Sequence, residues 1–338
     1  MKLPTKETAA LFNFLAPGSV PPRLIYQQTS LPDGVLREKG ARLSHHEYRS
    51  CPVPLVDGRA EMAAGRAPTL RTNGLQFISD ATTAMVSSSI GGAGSFLDNN
   101  AVPESYYPEV EALVLASVPN AERVIVFDHN VRTVPRRNPD LRALTDQPLD
   151  DEPFTPERAS AQSIDMTHND YTEASAVKRL KDFIDKPSYT TGKPPLEGED
   201  LDALLGKHFM FLSVWRNTAD TPIVDVPLAV FDAQCVDRTK DLALAEIYFG
   251  DRAGEIQFAK HSERLRAYWF PEMRKDEALV LKTFDSRCLS APSTLEGQRG
   301  LWACHTAFTS PFCPPVGEEF VSRRSIEARA IVFFKKGT

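Results

Sequence analysis

One of the chain's seven histidines stands two residues before an aspartate, in His168-Asn169-Asp170. In extended chain, side chains at i and i+2 share a face. One imidazole nitrogen and one carboxylate oxygen could then hold the same metal ion. A histidine from a distant strand would complete a two-histidine, one-carboxylate set. Such a set leaves positions open on an octahedral iron(II), where a co-substrate and oxygen can bind. His305, in the apolar run LWACHTAF (Leu301–Phe308), is the expected third ligand. His208, at the start of another strand, competes with it. His261 lies between basic stretches and reads as solvated, while His45 and His46 lie in a Pro-rich polar region. Taken alone, an H-x-D pair recurs by accident, and a histidine in an apolar strand is more often a hydrogen-bonded core residue.

The carboxyl-terminal segment changes that weighing. Arg323-Arg324-Ser325 follows His305 after a loop holding Pro311, Pro314 and Pro315, and it opens the last strand. Arg323 and Ser325 share a face of that strand. A guanidinium grips a carboxylate through two hydrogen bonds, and a serine hydroxyl adds a third. The far carboxylate of 2-oxoglutarate needs such a grip when its keto-acid end chelates iron. Arg329 is the reserve for this contact. The same face continues through Glu327, Arg329, Ile331 and Phe333, with Ile326, Ala328, Ala330, Val332 and Phe334 on the other. Ile331 and Phe333 are expected to shape the substrate pocket, with core packing as the plainer alternative.

These residues need strands to carry them. Arg123–Asp128, Phe209–Trp215, Leu228–Phe231, Ala243–Phe249, Leu279–Phe284, Leu301–Thr306 and Ile326–Phe334 read as strands. Glu109–Ser117 reads as a helix with Pro108 in its first turn, and Glu173–Ile184 as an amphipathic helix. Pro271–Asp276 is a weaker helical stretch. Residues 133–160, rich in Pro, Arg and Asp, read as a long loop of the kind that forms lids. Val86–Gly94 reads as a loop. The strand-rich second half predicts an antiparallel sandwich or barrel. Residues 1–100 are expected to be an irregular extension packed on a core domain of residues 101–338. No G-x-G-x-x-G follows a strand, which argues against a Rossmann domain.

The chain has 338 residues, 42% of them hydrophobic, enough for a substantial core. Its net charge of -6 offers no basic stripe for nucleic acid, and Arg132, Arg136 and Arg137 read as a solvated loop. Five cysteines without C-x-x-C spacing suggest neither a disulfide scaffold nor structural zinc. A cytoplasmic protein without membrane association is the expectation. A homodimer through the amino-terminal extension is also expected, though no particular residue argues for it.

H-x-D-x-T (His168, Asp170, Thr172), the distal His305 and R-x-S (Arg323, Ser325) together resemble the iron(II)/2-oxoglutarate oxygenases of the double-stranded β-helix fold. More narrowly, the chain resembles the gibberellin-desaturase-like and cephamycin methoxylation-related oxygenases of natural-product pathways. Further segments carry the likeness: Tyr106 to Glu109, Val126 to His129 with Arg132, Val214 to Arg216, Pro227 to Ala229 with Asp232, Tyr268 to Met273, Lys282 with Asp285 and Ser286, and Arg323 to Arg329. Asn217 departs from the pattern, where proline would be expected after Trp215-Arg216. The resemblance implies a mainly β fold with flanking helices around a jelly-roll, cupin-like core. It implies iron(II) on His168, Asp170 and His305, with 2-oxoglutarate and oxygen as co-substrates. Arg323, Ser325, Arg329 and Thr172 then belong to the cofactor-binding set. The implied reaction is hydroxylation, desaturation or ring formation on a small molecule, releasing succinate and carbon dioxide. Two alternatives stay open: a non-catalytic accessory component of a biosynthetic complex, and a cupin-like metal-dependent hydrolase or isomerase.

Overall fold

The computed structural model describes residues 8–17, 23–25, 48–79, 101–132, 166–188, 190–249, 252–290, 300–310, 313 and 323–335. In chain order the strands are β1 (Thr8–Leu15), β2 (Arg23–Ile25), β3 (Tyr48–Asp57), β4 (Leu75–Ser79), β5 (Ala121–Arg132), β6 (His168–Asn169) and β7 (Phe209–Asn217). They continue with β8 (Leu228–Phe231), β9 (Leu242–Phe249), β10 (Arg252–Ala259), β11 (Ala267–Trp269), β12 (Glu277–Asp285), β13 (His305–Ala307) and β14 (Ser325–Phe334). The helices are α1 (Gly58–Ala63), α2 (Ala101–Ser105), α3 (Tyr107–Ser117), α4 (Glu173–Asp185), α5 (Leu201–Leu205) and α6 (Arg238–Asp241).

The smaller sheet runs β4-β12-β7-β14-β5, antiparallel throughout. Every residue of β7 and of β12 is buried, because both faces of this sheet are covered. Such strands read as continuous apolar runs rather than alternating ones. On one face Leu212, Val214, Ala328, Ala330 and Val332 pack against Val102 of α2, Val110 and Val114 of α3, and Tyr106 between the two helices. On the other, Phe209, Phe211, Phe284, Ile331 and Phe333 meet Ala176, Leu180 and Phe183 of α4. Each such side chain, fully buried, contributes about 1.5–3 kcal/mol. The α4 apolar residues recur at helical spacing. Thr172 starts this helix: it accepts a hydrogen bond from the Ser175 N–H, and the Ser175 side chain returns to the Thr172 backbone.

The larger sheet runs β1-β3-β11-β8-β13-β6-β10-β9-β2, with β3–β11 and β2–β9 paired parallel. It curls: single bridges join Asn13 to Met166 and Leu15 to Lys260. Phe12 and Phe14 of β1 pack edge-on against Phe231 of β8. Leu228, Val230 and Tyr268 from this sheet share a cluster with Trp215, Leu279 and Leu281 from the smaller one. The two sheets therefore face each other, as in a jelly roll with flanking helices.

Some expectations need correction. β1, β3 and β4 are sheet members, so the described parts of the first hundred residues are not irregular. Pro271–Asp276 forms turns and no helix. Leu301–Cys304 is not strand, and β13 begins only at His305. The loop 133–160, Val86–Gly94, Arg136, Arg137, His45 and His46 lie outside the described residues. Among the described residues no helix is long and apolar enough to cross a membrane.

Candidate metal centre

β6 is a two-residue strand held between β10 and β13. Its register sets His305 directly opposite His168. Opposed residues of antiparallel strands have Cβ atoms about 4.5–5.5 Å apart, so backbone pairing alone gathers the two imidazoles. Their ring centroids lie 4.5 Å apart. Asp170 sits in the bend after β6, with Oδ1 3.4 Å from His168 Nε2 and 3.9 Å from His305 Nε2. One donor atom from each of the three residues lies within 4.8 Å of the others. His168 Nδ1–H donates to the Met166 carbonyl at 2.7 Å. That bond orients the ring and turns Nε2 toward Asp170.

The electrostatics match a cation site. Against the cost of burial, His305 and His168 hold the Asp170 carboxyl well below the usual carboxylate range. Burial opposes charge on His168, yet its hydrogen bond and attraction to Asp170 raise it above the ordinary value. His305 is pushed down, by burial first and then by His168. A carboxylate set between two buried imidazoles is arranged around positive charge. Two nitrogen donors and one oxygen donor suit iron(II).

Two residues before β14 of the facing sheet, Arg323 is buried, and its Nη1 donates to the Val226 carbonyl at 2.6 Å. Its backbone N–H donates to the Asp225 carboxylate, and its guanidinium lies 5.8 Å from the Trp215 ring centroid. Burial, and then the like charge of Arg132, bring its pKa down to about 9. Ser325 is 1% exposed, and its Oγ has no hydrogen-bond partner. A buried hydroxyl without a partner costs free energy. Two residues after a buried guanidinium whose surroundings disfavour its charge, it suits an anionic group with several acceptor oxygens. The residues present therefore fit both iron(II) and the far carboxylate of 2-oxoglutarate.

The structure gives other expected site residues different places. Arg329 is committed to Asp128, Nε to Oδ1 at 3.1 Å, and Asp128 also meets Arg179 at 3.2 Å. Its charge still helps to lower Asp170. Thr172 caps α4, and its hydroxyl donates to Glu255 at 2.8 Å. Ile331 and Phe333 are buried in the aromatic core with Phe209, Phe211 and Phe284. His208 lies outside the cluster, bonded to Asp285 at 3.0 Å and stacked on Phe334. His261 is half-buried, edge-on to Phe14, rather than solvated.

Arg132 was expected in a solvated loop, but β5 runs on to it and pairs it with Ser325. The alternation Asp128, Asn130, Arg132 was the available signal. A register shift at Arg329/Ala330 interrupts the β5–β14 pairing, and bulges of this kind re-aim side chains near active sites. Glu327 was named only for its face. Its charge acts on His168, His305 and Arg323 alike.

The chain is similar to several known proteins. The Fe(II)/2-oxoglutarate-dependent dioxygenase nvfI of Aspergillus novofumigatus (strain IBT 16806) is 28% identical over 265 residues, 78% of this chain and 77% of that protein. The hydroxylase/desaturase poxK of Penicillium oxalicum (strain 114-2 / CGMCC 5302) is 24% identical over 252 residues, 69% of this chain and 66% of that one. A solved structure of the iron and alpha-ketoglutarate-dependent endoperoxidase NvfI superposes with a TM-score of 0.67 at 23% identity, covering 97% of this chain and 98% of its own. That likeness speaks for the fold. Jelly-roll fold, donor set and relatives together define the class, an iron(II)/2-oxoglutarate-dependent oxygenase. A family model described as "Oxidoreductase/YMDC permease-like domain" matches residues 13–333, and the chain belongs to that family.

Proposed function

We propose that His168, Asp170 and His305 hold iron(II), and that Arg323 and Ser325 hold the far carboxylate of 2-oxoglutarate. The observation that carries this reading is the partnerless buried hydroxyl of Ser325, which opens β14 two residues after the buried Arg323. When bound, iron(II) with 2-oxoglutarate supplies oxidation by molecular oxygen; one oxygen atom enters succinate, and carbon dioxide leaves. The substrate is a small molecule of a natural-product pathway, oxidised at an unactivated C–H bond by hydroxylation, desaturation or ring closure. The relatives' names, dioxygenase and hydroxylase/desaturase, support that reaction class. The protein's own share is to orient the co-substrate between the sheets and to exclude water from the buried Arg323 and Ser325. Arg329, through its pair with Asp128, steadies the charge around Asp170.

The same reading places the protein in the cytoplasm, acting without nucleic acid or membrane. Five unpaired cysteines support a reducing compartment. It includes a homodimer, which sedimentation would test.

The deciding experiment adds iron(II) and 2-oxoglutarate to metal-free protein under strict anaerobiosis and records the visible spectrum. A weak metal-to-ligand charge-transfer band, absent in His168→Ala, is the expected result. No band, with tight zinc binding, would point to the hydrolase or isomerase. No metal binding at all would leave the accessory component.

A further inference from the structure

The residue between the two ligands of the H-x-D pair is buried and points away from the metal. Asn169 is 0% exposed. Its Nδ2 donates to the Tyr171 carbonyl at 2.6 Å and to Gln257 Oε1 at 3.2 Å. Gln257 lies directly opposite it on β10. Two residues back along β10, on the same face by strand alternation, Glu255 accepts from the Thr172 hydroxyl at 2.8 Å. Thr172 is in turn fixed at the start of α4 through Ser175. The chain from 169 to 172 is thus pinned at both ends to one face of β10, and Asp170 lies inside the pinned turn.

We propose that Asn169, Gln257 and Glu255 form a clamp that positions Asp170 as a metal ligand. The inference rests on the assignment of His168, Asp170 and His305 as the metal centre. His168 needs little help, because strand pairing places it opposite His305. Asp170 has no such support: it lies beyond the two-residue β6, in a bend. A bend is free to swing its side chain unless its carbonyls and flanking residues are tied. The Asn169 amide ties the Tyr171 carbonyl, and Glu255 ties the end of the turn. None of the three clamp residues touches the metal. They act by removing the freedom that Asp170 would otherwise lose on binding, and partners of metal ligands contribute roughly 10–100-fold in affinity.

Metal-free protein titrated with cobalt(II) alone, followed by the visible spectrum of the bound ion, tests this without turnover. His168→Ala serves as the control for the centre itself. Asn169→Leu and Glu255→Leu should weaken cobalt(II) binding roughly tenfold or more, while Glu255→Gln, which keeps an acceptor, should bind as the parent does. Gln257→Leu, at a half-exposed position, gives a reading should Asn169→Leu fail to fold. Parent-like affinity in all the leucine variants, with binding lost in His168→Ala, overturns the clamp and leaves the centre standing. Parent-like affinity in His168→Ala overturns the centre and the clamp with it.

Discussion

At the scale of single residues, the two arginines near the cluster separate cleanly. Arg323 is buried with backbone partners and a nearby like charge, whereas Arg329 is paired with Asp128. Arg323→Ala should raise the dissociation constant for 2-oxoglutarate by roughly 30–100-fold, as loss of a buried charge-assisted contact costs about 2–3 kcal/mol. Ser325→Ala should cost less, about 1 kcal/mol, because a neutral hydroxyl is removed. Calorimetric titration of anaerobic iron-loaded protein measures both. If Arg329→Ala abolished binding while Arg323→Ala left it intact, the assignment would be reversed. His129 makes a different prediction. It sits against the Tyr107 hydroxyl, and burial first of all brings its pKa down to about 4. Its folded value is below the unfolded one near 6.5. The stability it contributes is therefore complete above pH about 6.5 and is lost as pH falls toward about 4. The urea midpoint should fall across that window in the parent and fall less in His129→Gln.

At the scale of elements, β14 is the piece whose alternation divides two jobs. Ser325, Glu327 and Arg329 share one face, from which the charges of Glu327 and Arg329 act on the His168, Asp170 and His305 cluster, while Ile326, Ala328 and Ala330 pack with residues of α2 and α3. That division was legible because one strand carried polar and small apolar residues in strict alternation. The start of α4 was legible in its helix but not in its purpose. Thr172 looks like part of a cofactor motif, and its capping role becomes visible only with Ser175 and Glu255 in place. Thr172→Ala should destabilise the metal-free protein by about 1 kcal/mol, the usual cost of a lost cap, as read by urea unfolding. β3 was hidden by Pro52 and Pro54, which argue against a strand. Yet Cys51, Val53 and Leu55 alternate inward, and β11 joins only from Leu55, so most of β3 needs hydrogen bonds on one side alone. Ile331 and Phe333 share the face of Ser325, Glu327 and Arg329, and their burial among phenylalanines was not legible from that face. Periodicity gives the face and not the depth.

At the scale of the whole molecule, a buried charge cluster ties β12 to the segment before β13. Lys282 Nζ donates to Asp285 at 3.1 Å and to the Gly300 carbonyl at 2.7 Å, and the Ala303 N–H donates to the Lys282 carbonyl. His208 and Arg287 also meet Asp285. Removing one partner of a buried pair leaves the other charge uncompensated, at about 3–5 kcal/mol. Asp285→Ala should lower stability by that order. Against burial, His208 and Arg287 hold the Asp285 carboxyl below its ordinary value. Its contribution is thus full above the unfolded value near 3.9 and disappears only as pH falls through the lower folded one. Asp285→Ala and parent should therefore converge in stability only in strong acid, which a pH series of urea melts would show. The direct opposition of His168 and His305 across neighbouring strands has one more consequence, for how the folded chain comes by its ion. Because strand pairing assembles the imidazoles before any metal arrives, the wrong ion meets no refolding barrier at the door. Nitrogen and oxygen donors of this kind bind zinc and copper more tightly than iron(II). The supply of divalent ions at the moment of loading, rather than the polypeptide, then decides whether a given molecule is active or mismetallated.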